Sequence, residues 1–105
     1  MAQKKDTHAT IGPVCLRHLQ EEYDMLQEIL DHQQFMVAPL EAQRTDLSTQ
    51  LQTSQQDSEK EQLQKQLQRV ENDLATVTEN ITRIKYRLKW IDNNFGEKLQ
   101  AYAAE

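Results

Sequence analysis

The chain has 105 residues, 17 acidic against 12 basic side chains, a formal net charge of −5 and one cysteine. That length suits one small domain, and the acidity argues against nucleic acid as the main partner, because phosphate binding needs a basic surface. Two glycines, two prolines, two phenylalanines and one tryptophan are a poor supply for sheets and turns, whereas Gln, Leu, Glu, Lys and Ala favour helix.

The expected fold is therefore all-α. The longest wholly apolar run is four residues, Phe35 to Ala38, so no membrane span is expected. Met1 to Gly12 lacks the apolar core of a signal peptide. A single thiol cannot close an internal disulfide, which makes the reducing cytoplasm the expected compartment.

In chain order, residues 1–12 are polar and aperiodic, and a flexible tail is expected there. Residues 13–105 form the expected helical hairpin. Gly12-Pro13 is a reasonable helix start, with proline at the first helical position. From there an apolar stripe runs through Leu16, Leu19, Tyr23, Leu26, Leu30, Val37, Leu40, Leu47 and Leu51 in steps of three and four, with Gln33 and Arg44 the polar members. Helix 1 is expected over about 13–52. Pro39 lies off the stripe and costs roughly 3 kcal/mol in a helix interior, so a kink or a short break is expected there.

After Leu51 the register fails by two residues, which suits a turn over about 53–58. Ser58-Glu59-Lys60-Glu61 fits a capping box that restarts a helix. Helix 2 is expected over about 59–94. Its stripe is the more regular of the two: Leu63, Leu67, Val70, Leu74, Val77, Ile81, Ile84, Leu88, Ile91 and Phe95. Asp92-Asn93-Asn94-Phe95-Gly96 contains residues that end helices, so 95–105 is expected as a short separate segment docked near Gly12–Leu16.

The two stripes are mirror images. Folded about Asp57, Leu51 meets Leu63, Leu40 meets Leu74, Leu30 meets Ile84 and Tyr23 meets Ile91. This predicts an antiparallel two-helix coiled-coil hairpin. Leu at one seam position with β-branched residues at the other leans toward four strands in parallel coils. By analogy, two hairpins are expected to pair into a four-helix bundle.

Helix 1 carries a second apolar edge of Cys15, Met25, Ile29 and Met36, with Phe35 further round. Helix 2 carries one basic-aromatic stretch, Arg83 to Trp90, in which Tyr86 and Trp90 share an outer ridge. Met25, Ile29, Phe35, Met36, Tyr86 and Trp90 are thus the candidate partner interface. The plainer reading of Arg83–Trp90 is charge compensation against Glu21, Glu22, Asp24, Glu28 and Asp31 of helix 1. Glutamine takes eight of the nineteen positions from 50 to 68, which suits a soluble, uncharged hairpin end.

Cys15, His18 and Glu22 sit three and four apart on one helical face, a set that could ligate zinc. No Cys-x-x-Cys or His-x-x-x-His supports them, and the expectation is no metal and no cofactor. No phosphate loop, strained serine nucleophile or pocketed carboxylate pair is present, so no enzymatic activity is expected. The motifs point to no known family. The expected function is a coiled-coil interaction protein, a homo-oligomer or hetero-complex subunit, acting as adaptor, scaffold or assembly factor on a protein partner. The alternatives are a chaperone-like or regulatory helical protein masking a partner's amphipathic helix and a metal-responsive regulator.

Overall fold

A computed structural model describes residues 12–104. The expected N-terminal tail lies outside the described residues except for Gly12. Among the described residues the secondary structure is two helices, α1 (Pro13–Thr53) and α2 (Asp57–Ala104), packed as an antiparallel hairpin.

The reversal takes three residues, Ser54 to Gln56. No described residue has a positive φ, so the turn needs no left-handed position and hence no glycine. The Ser54 N–H still donates to Gln50 O at 2.9 Å, and the Lys60 N–H donates to Gln56 O at 3.0 Å. The second helix therefore starts at Asp57, and Ser58 lies inside its first turn rather than capping it. Asp57 and Glu59 in that turn complement the positive end of the helix dipole.

The second helix ends later than expected, and of the two outcomes expected at Pro39 the break does not occur. α1 passes through Pro39 without a break. The ring is exposed, one backbone hydrogen bond is forgone, and Val37 and Leu40 on either side are packed into the core. That packing holds both flanks of the proline. α2 likewise does not stop at 94 but continues to Ala104. Its seam carries on beyond Ile91 with Phe95 and Tyr102 half-buried and Leu99 buried, and Asn94 donates its side-chain amide to Trp90 O at 2.7 Å. Tertiary burial outweighs the weak helix propensity of Asn93, Asn94 and Gly96.

The described residues form two compact units. The turn unit, residues 31–82, has an aliphatic core of Leu47, Leu63, Val70 and Leu74, with Val37, Leu40, Leu51 and Leu67 packed against it. Arg44, the polar member of its stripe, is exposed. At the other polar position Asn80 donates to Gln33 Oε1 at 3.3 Å. Side-chain bonds four residues apart, such as Gln50 to Asp46 and Gln68 to Asn72, stabilise its polar surface.

The terminal unit comprises residues 12–30 and 83–104. Leu30, Ile84, Leu88, Ile91 and Leu99 are buried, Ile91 completely. Tyr23 donates its hydroxyl to Asp92 at 3.2 Å, one residue from the Tyr23–Ile91 layer of the mirrored stripes. The Gln33–Asn80 bond is likewise one residue from the Gln33–Ile81 layer.

Candidate functional site

The terminal unit contains the most tightly tied polar contact between the helices. Arg87 donates from Nε and Nη2 to the two carboxylate oxygens of Glu22, at 2.7 and 2.9 Å. This bidentate pair holds the Glu22 carboxyl below its ordinary range, mainly through the hydrogen bonds and against a smaller desolvation effect. The same guanidinium lies 4.6 Å from the centroid of the Trp90 ring, and Trp90 stands 5.7 Å from Phe95 at a tilt of 58°. Arg87 thus covers one part of the indole and ties it to α1 through Glu22.

The ion pair also fixes which surfaces share a side of the unit. Glu22, Met25 and Ile29 follow one another at steps of three and four, as do Arg83, Arg87, Trp90 and Asn94. Residues so spaced share a helix face. Because Glu22 and Arg87 meet, Met25 and Ile29 of α1 lie on the same side as Trp90 of α2, with Tyr86 just beyond. Met25 is 53% exposed, Ile29 and Trp90 39% each and Tyr86 75%. A shallow hollow of about 230 Å³ opens beside the indole, lined by Tyr86, Lys89, Trp90, Asn93 and Asn94.

Phe35 belongs to the turn unit and is 79% exposed. Met36 is half-buried and shares a hollow with Gln33, Leu40, Asp73, Thr76, Val77 and Asn80. It is less available than the sequence suggested, being only half-exposed. The charge compensation expected for Arg83–Trp90 is realised at Arg87, through Glu22.

The metal set loses one member, since Glu22 has both oxygens on Arg87. Cys15 and His18 are exposed, and among the described residues no group of three or more His, Cys, Asp or Glu could hold a metal ion. A second hollow of about 220 Å³ in the terminal unit is lined by Gln20, Tyr23, Asp92, Gly96, Leu99, Gln100 and Ala103. Its one carboxylate already accepts from Tyr23. Among the described residues no helix is long and apolar enough to cross a membrane.

The sequence flagged Met25, Ile29, Tyr86 and Trp90 by exposure and spacing but did not identify Arg87 as the residue that joins them. The available signal was the Arg87-x-x-Trp90 spacing, which places a guanidinium over an indole one helical turn away. No protein-family model matches the chain, and neither a curated protein nor a solved structure matches it.

Proposed function

We propose that this chain is a non-enzymatic helical-hairpin interaction protein, an adaptor, scaffold or assembly factor that docks a protein partner on the Met25–Ile29–Trp90 side of its terminal unit. The observation that carries the proposal is the grouping of these exposed apolar side chains around an ordered Arg87–Trp90 pair. Tryptophan and arginine supply a large share of binding energy at protein interfaces, and an apolar centre with polar neighbours is the usual anatomy of such a patch. The exposed thiol of Cys15 suits a reducing compartment such as the cytoplasm.

The test is a double substitution, Met25→Glu with Ile29→Glu, compared with Phe35→Glu. Both variants keep the buried seam. The expected result is a helical protein that loses its partner, captured protein or second copy, only with the first pair of changes. Burying two unpaired carboxylates costs several kcal/mol, enough to dissolve a micromolar contact. Unchanged capture and sedimentation in the double variant would remove the support for this face.

A further inference from the structure

We infer that the partner on this face is a second copy of the chain, related by a two-fold axis that runs along the helices and sets α1 of each copy on α2 of the other. The inference rests on the docking reading above and commits it to one occupant.

The mirrored seam and the hydrogen bond from Tyr23 to Asp92 place the two antiparallel helices in register to within about one turn. Counting in opposite directions from that pair, Met25 is level with Trp90, Glu28 with Arg87 and Ile29 with Tyr86. All of these belong to the terminal unit. A two-fold axis along the helices preserves level and exchanges the helices. It therefore brings Met25 onto Trp90 of the second copy and Ile29 onto Tyr86 of the second copy, twice over, as an isologous contact requires. Met25 arrives at the hollow beside the indole. An unbranched thioether fits an irregular gap and gains from contact with an aromatic ring.

Charge selects this axis over the alternative. Between Gly12 and Leu30, α1 carries Glu21, Glu22, Asp24 and Glu28 against Arg17. Between Arg83 and Ala104, α2 carries Arg83, Lys85, Arg87, Lys89 and Lys98 against Asp92 and Glu97. The two stretches thus carry −3 (one basic less four acidic) and +3 (five basic less two acidic). On the ridge Glu21–Met25–Glu28, at steps of four and three, Glu28 is level with Arg87 of the second copy and about one turn from Arg83. Arg87 spends two N–H donors on Glu22 and has others to give. The other face-to-face two-fold, which crosses the helices, would set acidic α1 on acidic α1, where like charges oppose association.

The test uses the full chain. Sedimentation at roughly 100 μM, well above a micromolar dissociation constant, should give twice the 12.3 kDa chain mass. In a Cys15→Ser background, Ile29→Cys and Tyr86→Cys proteins should form a disulfide when mixed and none when oxidised separately. A monomeric unmodified chain overturns the inference, as does Ile29→Cys linking to itself or a dimer whose mixture never links. Each of these leaves the docking reading intact if Met25→Glu with Ile29→Glu still abolishes capture of a different protein. That reading fails only if this double variant changes neither sedimentation nor capture.

Discussion

The two units are built on the same seam and differ in what surrounds it. In the turn unit the core is Leu and Val throughout, the outer surface is largely Gln, Thr and charged residues, and a neutral amide bond crosses the helices at the seam. In the terminal unit the seam is flanked by a bidentate ion pair, a phenol–carboxylate bond and an Arg–Trp–Phe contact. Val14, Met25, Ile29, Tyr86 and Trp90 remain exposed in this unit. In the turn unit the core cluster is packed by Leu and Val alone. The terminal unit adds polar contacts between the helices, and aromatic contacts along α2, to a seam of the same kind.

The comparison implies that both units depend alike on burial, so the largest effects should come from the seam. Ile91→Ala is expected to cost about 2–5 kcal/mol, because a fully buried side chain leaves a cavity. Leu74→Ala in the turn unit should cost a similar amount in urea unfolding. A negligible effect in either would show that only the other unit holds the hairpin together.

Gly96→Ala should stabilise by about 0.5–1 kcal/mol, since a methyl group there meets nothing within 4 Å and glycine disfavours helix. Thermal melting reads this directly, and destabilisation would mean that the helix around Gly96 differs from the one described.

The smallest effect concerns Glu22, whose side chain is one-third exposed. Glu22→Gln should cost about 0.2–1 kcal/mol at neutral pH, reduced by solvent screening. Its carboxyl is held low in the folded state, so the stabilisation is present above the ordinary value of 4.5 and disappears as pH falls through the folded value. The Glu22 carboxylate bonded to Arg87 shifts the guanidinium upward, and its contribution stays constant across neutral pH. Stability curves of the wild type and Glu22→Gln should converge on acidification, and parallel curves would exclude this pair as a source of stability.

Much of the fold was legible because a seam is written in period. The mirrored stripes predicted the hairpin and its register to within a residue at Tyr23–Asp92 and Gln33–Asn80. The ends of the helices were less legible because local signals competed there with packing. Asn93, Asn94 and Gly96 read as a stop, yet Phe95, Leu99 and Tyr102 continue the seam past them. Pro39 read as a kink or a break, and the helix continues through it with Val37 and Leu40 packed on its flanks. The residues of the proposed docking face were visible as apolar positions off the seam, but the partner of Arg87 was not. Its long side chain runs over Trp90 and reaches Glu22, nearly two turns from the level position Glu28, and spacing rules do not capture that reach.

The central claim is that the terminal unit, and not the turn unit, carries the docking surface. Oxidative footprinting of the full chain, dilute and then associated with its own copies or a captured partner, tests it within one sample. Met25 and Trp90 are both readily oxidised and both on the proposed face, while Phe35 reports on the turn unit. The account predicts that Met25 and Trp90 become several-fold less reactive on association while Phe35 keeps its reactivity. Protection of Phe35 with Met25 and Trp90 unchanged would contradict it.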